Sequence, residues 1–456
     1  MRSVSKEQIL KGPIIKTLFL LGWPIMISSL LETAYTLADT FWLGRLEESK
    51  YAVAALQISW PIIFLLISIA FGFGAAGVAL VSQYTGAKKH EEAERSAGQV
   101  IFISLTFGLV FAITGFFLSP FIVHSLGLEK EVSHLAILYL RIIFFGMPFM
   151  FESFMFGFIM RAYGDTVTPM IVSGVAVILN IALDPILIFG MFGFPRMGVL
   201  GAGLATILTQ SLATGIALYL LFKGKVGIKL KLSYLKPEKE KIKKIFRIGI
   251  PASIGNSGTA FGFFILMYIL ARVPDSTVVL AAYGIGDRII NLIFISINGL
   301  SAGITTVLGQ SLGADKIERA EEAVKKGILA MFFILVVCSI LLVLFRTEIM
   351  KIFINNSDVV NEGANLIKCV MIGVPFFGIF SGIVASFQGS GHNVPTMILD
   401  ISRLWALRIP LAYFLGLYLG MNSTGVWIGM ALSNIVGTAI ALIFFETGIW
   451  KKKVID

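Results

Sequence analysis

The chain has 456 residues, of which 57% are hydrophobic and only 14% are charged. About a quarter of the residues in an ordinary soluble protein are charged, so this composition excludes a soluble globular enzyme and indicates a polytopic membrane protein. The formal net charge of +10 would suit a nucleic-acid-binding protein only if the basic residues formed one exposed patch.

Apolar segments long enough to cross a bilayer recur along the whole chain. We predict twelve membrane-spanning helices, at roughly 14–42, 52–84, 94–119, 132–158, 166–190, 199–222, 247–271, 279–311, 327–345, 364–386, 394–420 and 425–448. The first of them has no small-residue cleavage site, so we expect it to be retained as a helix rather than removed as a signal peptide. The predicted fold class is an all-α polytopic membrane protein.

Lysine and arginine are concentrated in the loops on the side of the two termini, above all between Lys223 and Arg247. By the positive-inside rule both termini are then cytoplasmic, and the net charge reflects topology rather than nucleic-acid binding. The stretch 224–246 is predicted to be a cytoplasmic linker with a short amphipathic helix on the membrane surface. It separates an N-terminal lobe at 1–223 from a C-terminal lobe at 247–456.

The two predicted lobes are copies of one another. With an offset of 227 residues, Pro24 aligns with Pro251 and Gly146 with Gly373. One offset that holds from the first helix to the sixth predicts parallel repeats related by an axis along the membrane normal. Two six-helix bundles around a central cleft are typical of an alternating-access transporter, whereas a channel is more often a small subunit assembled around a pore.

Acidic residues distinguish the two copies. At this offset the second copy has leucine where the first has polar groups: Asp39 aligns with Leu266, Asn180 with Leu407, and Asp184 with Leu411. The hydroxyl of Thr206 is kept, since Thr206 aligns with Ser433. These differences predict a cation site in the first lobe.

The segment Asn180–Pro185 lies inside an apolar run, where a carboxylate is costly and by default faces a cavity or an ion pathway. Asn180 and Asp184 are four residues apart and share one helix face. Pro185 has no N–H, which leaves the carbonyl of Ile181 without its helical partner. These oxygens suit a hard cation; the alternative is an interhelical hydrogen-bond clamp.

The first helix carries Glu32 and Asp39 two turns apart on one face, with Tyr35 between them. Glu32 either pairs with a basic residue or meets an aqueous cavity. Two carboxylates brought close, Asp39 and Asp184, either hold a cation between them or share a proton, so the occupant is positive in both cases. Pro24 is either a static kink or a hinge.

The second lobe has its own charged residues within apolar segments. They are Asp287, Arg288, Lys368, Asp400, Arg403 and Arg408. Asp400 and Arg403 are three residues apart on one helix face and could neutralise each other. We therefore interpret these charges mainly as ion pairs within the lobe, with the alternative that they line the transport path.

The Asp-Thr-Phe-Trp-Leu-Gly element at 39–44 and the Asn-x-x-x-Asp-Pro element at 180–185, together with twelve helices and a central linker, resemble the multidrug and toxic compound extrusion (MATE) transporters. The acid pair confined to the first lobe resembles the DinF-like branch. The resemblance implies that Asp39, Asn180, Asp184 and Thr206 form the cation site, and that Na+ can be the cation they bind. Tyr35 and Tyr139 are candidates for the cavity wall.

The resemblance also implies export of amphipathic, often cationic organic compounds, coupled to inward flow of Na+ or H+. We expect a monomer in the cell membrane, with small-molecule drugs and the bilayer as partners and no cofactor beyond the coupling ion. A flippase for a lipid-linked precursor is the alternative, but it predicts an arginine-lined cleft and often additional helices. An intramembrane enzyme would need a nucleophile–base set, a zinc motif or aspartate-rich diphosphate sites, and the sequence contains none of these motifs.

Overall fold

The computed structural model describes residues 4–46 and 49–455, and in these ranges the chain forms helices and no strands. The α-helices are α1 Lys6–Lys11, α2 Ile14–Leu43, α3 Ser49–Gly86, α4 His90–His124, α5 Lys130–Tyr163, α6 Val167–Phe189, α7 Val199–Lys223, α8 Lys239–Leu270, α9 Ser276–Gly313, α10 Ile317–Leu344, α11 Arg346–Phe353, α12 Ser357–Val370, α13 Val374–Ser390, α14 Asn393–Ile401, α15 Ile409–Tyr413 and α16 Asn422–Glu446. The predicted all-α class is confirmed.

Ten of the described helices are long and apolar enough to cross a membrane, and α12 with α13 forms an eleventh candidate that is bent by 53° at its break. The remaining predicted span, 394–420, is interrupted by two π-helical stretches, Ser402–Arg408 and Phe414–Tyr418. The backbone is nevertheless helical without a break from residue 393 to residue 418. Each of the twelve predicted segments therefore coincides with helix.

The chain divides into two compact units. Among the described residues, the first unit contains 24–46 and 49–249, and the second contains 4–23 and 250–455. The chain thus passes between the units beside Pro24 and again beside Pro251, which are equivalent in the 227-residue repeat. Both crossing points lie inside long helices, α2 and α8.

In the first unit, close packing of α6 against α7 fixes the position of the polar residues on both helices. A Cβ atom on Gly201 of α7 would lie 2.5 Å from the carbonyl oxygen of Leu187 in α6, so only glycine permits this approach. Gly190 ends α6 in the left-handed conformation, with φ +77°. The loop then returns to α6 through the hydrogen bond from Gly198 N to Ile188 O, at 3.0 Å.

The linker does not contain the separate surface helix that the sequence predicts. Tyr234, in the 3₁₀ turn Leu232–Leu235, is buried at 3% exposure. The Nε2 atom of buried Gln99 in α4 donates to the carbonyls of Tyr234 and Lys236, both at 2.7 Å. The backbone N of Glu238 donates to Gln99 Oε1 at 2.9 Å. The linker is therefore attached to α4, and the basic residues from Lys239 onward begin α8.

In the second unit, the short helix α1 is held by one arginine. Ser5 caps its N-terminus by accepting from the backbone N of Gln8. Arg319 of α10 donates from Nε to the carbonyl of Ile9 and from Nη2 to that of Gly12, both at 2.7 Å. These bonds satisfy carbonyls that a helix end leaves without intrahelical partners.

Candidate cation site

The first unit brings Asp39 of α2 together with Asn180 and Asp184 of α6. Asn180 and Asp184 are fully buried, and Asp39 is 5% exposed. The carboxyl groups of Asp39 and Asp184 are close enough to interact electrostatically. Two residues that are 145 positions apart in the sequence therefore form one buried acid pair, as the sequence predicts.

The polar atoms of this acid pair are largely unpartnered. Among the described residues, no hydrogen-bond partner is present for Oδ1 of Asp39, either carboxylate oxygen of Asp184, or either terminal atom of the Asn180 amide. A buried polar atom without a partner costs about 1–3 kcal/mol, and an ion is one of the explanations that such a group calls for. Carboxylate and amide oxygens are the donor set that a hard cation prefers, so the residues fit a bound cation.

Thr206 of α7 and Tyr35 of α2 lie beside the acid pair. Thr206 is 3% exposed, and its Oγ1 is 2.6 Å from the Tyr35 hydroxyl. The same Oγ1 donates to the carbonyl of Ala202 at 3.0 Å. Tyr139 of α5 is buried at 5% exposure and interacts electrostatically with Asp39 and Asp184. The two predicted cavity tyrosines are thus neighbours of the acids.

Glu32 lies outside this buried cluster. Its side chain is exposed, and its electrostatic neighbour is Arg161 of α5 rather than Asp39 or Asp184. Arg161 also lies over the ring of Phe158, with 4.5 Å from its guanidinium carbon to the ring centroid. The structure thus gives Glu32 a basic neighbour, while its contact with an aqueous cavity and its part in transport stay predictions.

One buried acid inside a membrane-spanning segment was not predicted from the sequence. Glu152 of α5 is 5% exposed and accepts a hydrogen bond from the hydroxyl of Ser104 in α4. Its Oε2 has no partner among the described residues. The signal was available, because Glu152 interrupts the apolar segment 132–158 as Asp184 interrupts its own.

The second unit does not contain the predicted Asp400–Arg403 ion pair: among the described residues, no carboxylate oxygen lies within 4.0 Å of Arg403 or Arg408. Arg403 donates to Asn434 Oδ1 at 3.2 Å. Arg408 donates to the same oxygen at 2.8 Å and to Ser433 Oγ at 3.1 Å. The interpretation of these charges as direct ion pairs is wrong for both arginines.

The chain has two repeats of membrane-spanning helices, and the first repeat carries a buried acid pair whose oxygens lack hydrogen-bond partners among the described residues. The second repeat has leucines in place of both acids. These features define a polytopic membrane transporter. The MatE family model matches residues 24–186 and, a second time, residues 251–414. The chain belongs to this family, the multidrug and toxic compound extrusion (MATE) transporters. Each repeat matches the model separately, and the two matches begin at Pro24 and at its equivalent, Pro251.

Named relatives cover almost the whole chain. The probable multidrug resistance protein YoeA of Bacillus subtilis is 28% identical over 433 residues, which are 94% of this chain and 93% of that protein. The probable multidrug resistance protein NorM of Thermotoga maritima is 29% identical over 444 residues, 96% of this chain and 94% of that protein. A crystal structure of a MATE protein in the bent conformation has a TM-score of 0.90 at 26% identity and covers 98% of both chains.

These similarities confirm the resemblance to MATE transporters and the all-α membrane fold. They also confirm that the protein is a secondary transporter rather than an enzyme. The assignment to the DinF-like branch stays a prediction from the acid pair of the first lobe.

Proposed function

We propose that the protein exports amphipathic, often cationic organic compounds from the cell in exchange for Na+ or H+, and that the coupling cation binds between Asp39 and Asp184. The observation that carries this proposal is the group of buried, unpartnered oxygens on Asp39, Asn180 and Asp184. The names of YoeA and NorM, both probable multidrug resistance proteins, support drugs as the exported class.

In the proposed cycle, the acid pair takes a cation from outside, and neutralisation of the carboxylates allows α2 to bend at Pro24. The bend reshapes the first-unit cavity and releases the drug, and the cation then moves inward down its gradient. A membrane potential contributes about 2.3 kcal/mol per charge per 100 mV. The position of Pro24, at the point where α2 leaves one compact unit for the other, supports a hinge there.

The ligand set suits either ion. The amide oxygen of Asn180 and the hydroxyl oxygen of Thr206 would add neutral ligands to the carboxylates, as Na+ prefers. Two adjacent buried carboxyls would equally hold one proton between them. We place the monomeric protein in the cell membrane with both termini in the cytoplasm, on the evidence of the basic residues in the loops.

The flippase alternative receives no support from the family match or from the names of these relatives. A flippase would also have arginines along the cleft, whereas the buried charged residues of the first-unit site, Asp39 and Asp184, are acidic.

The test is ethidium transport in proteoliposomes, with a Na+ gradient and a pH gradient imposed separately. The wild type should respond to at least one gradient, and that gradient identifies the ion. Asp39→Asn should lose the response, whereas Glu129→Gln, a change of an exposed acid at the start of α5, should keep it. Gradient-driven transport at the wild-type rate by Asp39→Asn would refute the proposal.

A further inference from the structure

The second unit contains a polar cluster, formed by Arg403, Arg408, Ser433 and Asn434, that carries the opposite charge to the cation site. Arg403 and Arg408 are each only 6% exposed, and Ser433 and Asn434 are 0% and 3% exposed. Two buried arginines that share neutral acceptors bear a large desolvation cost, which a directly paired carboxylate would normally offset. In the described ranges 4–46 and 49–455, no carboxylate forms a salt bridge with this cluster.

A π-helical turn brings the two guanidinium groups together. In an α-helix, residues five apart point in clearly different directions, but the i→i+5 bonds of a π-helix place them near one face. The stretch Ser402–Arg408 is π-helical and ends with a bond from Ile409 N to Leu404 O. Arg403 and Arg408 can therefore both reach Asn434 Oδ1 on α16.

The donors of this cluster exceed its acceptors. Arg403 and Arg408 each carry five N–H donors, and their hydrogen-bond acceptors among the described residues are one amide oxygen and one hydroxyl. The Nε atom of Arg403 is buried and has no partner in the described part of the chain. The rings of Phe377 and Phe380 hold the Arg403 guanidinium, at 4.8 and 5.0 Å from its carbon to the centroids.

The acidic neighbours of the cluster act only at longer range. Asp400 interacts electrostatically with Arg403, and Asp287 with Arg408. Asp287 accepts a 2.8 Å hydrogen bond from Asn291 on its own helix. Neither acid forms a salt bridge within 4.0 Å with the two arginines, so unpaired N–H groups at the guanidinium edges, such as Nε of Arg403, remain available to an incoming anion.

The cluster occupies the repeat position of the cation site. At the 227-residue offset, Ser433 aligns with Thr206, and Arg403 and Arg408 align with Ala176 and Ile181, on either side of Asn180. Positions that are equivalent in the two repeats thus carry hydrogen-bond acceptors in the first unit and hydrogen-bond donors in the second.

We propose that the second unit contains an anion subsite, in which Arg403 and Arg408 bind the carboxylate or phosphate group of an amphipathic molecule whose apolar part packs against the half-buried Phe377. The subsite extends the proposed export function, on which it rests, to compounds that carry a negative group, including zwitterions. The same chemistry would also recognise the phosphate of an anionic lipid.

Binding of pyrenebutyrate to the full-length protein, compared with its neutral methyl ester, tests the subsite. Measured by fluorescence in neutral detergent, the wild type should prefer the carboxylate. Arg403→Gln and Arg408→Gln should each weaken its binding about tenfold or more, as expected for loss of a charge-assisted hydrogen bond, and leave ester binding unchanged. Arg272→Gln, a change of an exposed arginine just after the end of α8, is the matched control.

Arg403→Lys and Arg408→Lys should each keep part of the preference for the carboxylate over the ester. Variants are compared only when their melting temperature in detergent matches that of the wild type. Equal binding of carboxylate and ester by the wild type, or unchanged carboxylate binding by both glutamine variants, would overturn the inference. In nanodiscs, competition by phosphatidylglycerol but not phosphatidylcholine would identify the headgroup of an anionic lipid as the natural ligand. Since no ion gradient is used, failure of coupled efflux leaves this result unaffected.

Discussion

The hydroxyl of Tyr35 lies 2.6 Å from Oγ1 of Thr206, so one hydrogen bond joins α2 to α7 beside the acid pair. Thr206 has a single hydroxyl hydrogen, and the Ala202 carbonyl 3.0 Å away can only accept. Both bonds are satisfied only when Tyr35 donates to Thr206. Tyr35 therefore fixes the Thr206 oxygen with one lone pair still available to a cation.

Tyr35→Phe should weaken the apparent affinity for the coupling ion about three- to tenfold without abolishing efflux, since it removes one hydrogen bond worth about 0.5–1.5 kcal/mol. The measurement is the ion dependence of ethidium transport. Thr206→Val should weaken the affinity further, because it removes the ligand oxygen as well as this bond, and the double variant should be no worse than Thr206→Val alone, because Tyr35 acts through Thr206. Tyr219→Phe, on the exposed part of α7, is the control; complete loss of coupling would contradict this role.

Asp184→Leu should stabilise the ion-free protein, because it replaces a buried carboxylate that has no hydrogen-bond partner among the described residues with the leucine that the second repeat carries as Leu411. The same change should remove stabilisation by the coupling ion, which for the wild type reaches about 2.7 kcal/mol at 100 times the dissociation constant. Melting temperature in detergent, recorded against Na+ and against pH, checks both effects. A variant that melts lower than the wild type and still responds to the ion would contradict the site.

Most of the architecture follows from the sequence. The apolar segments predict where helix forms because a span must satisfy its backbone within the segment, and the repeat predicts two equivalent sets of helices. The placement of residues 4–23 in the second unit could not be predicted. It depends on tertiary contacts such as that of Arg319 with Gly12, which leave no local pattern.

Parts of the polar sites were also predictable. Asp39 and Asp184 stand out because the second repeat has leucines in their place, and the structure brings them together. The shared contact of Arg403 and Arg408 with Asn434 could not be predicted. In an α-helix the spacing places Arg403 beside Asp400, and only the π-helical turn brings its side chain to Asn434. Gln99 gave no signal either, since its partners are backbone atoms more than 130 residues away.

Gly201→Ala should destabilise the first unit, because the new methyl group would meet the Leu187 carbonyl at 2.5 Å, and overpacking of this kind costs about 1–3 kcal/mol. Gly215→Ala on the same helix is the matched control, since a Cβ there has nothing within 4 Å. We expect a lower melting temperature and weaker ion response for the first variant only. Equal melting temperatures for the two would show that α7 can move away from α6 without loss.

Gln99→Leu should release the linker from α4, because three buried or part-buried backbone partners lose their hydrogen bonds at once, and each such loss costs about 1–3 kcal/mol. The expected result is rapid tryptic cleavage at two exposed lysines of the linker, Lys229 and Lys231, in protein whose membrane helices remain intact. Gln57→Leu, at an exposed position of α3, should be cleaved no faster than the wild type. Equal protection of both variants would mean that other contacts hold the linker.

Pro24→Ala should slow efflux about tenfold or more while it leaves the ion-dependent melting shift in place. Alanine restores the N–H that proline lacks and removes the ring's clash with the preceding turn, so α2 gains up to about 3 kcal/mol against bending. Asp39 of the acid pair lies about four turns further along the same helix, and the ligands of the site are unchanged. Transport rate and melting shift therefore separate a hinge from a ligand-binding role.

Pro61→Ala is the matched control, because Pro61 also lies inside a long helix of the first unit, α3, but away from the points where the chain changes units. The same gain in helix stability there should leave efflux unchanged. A wild-type efflux rate for Pro24→Ala would show that Pro24 is a static kink. Equal slowing by both substitutions would mean that general stiffening of the helices, rather than a bend at this residue, limits transport.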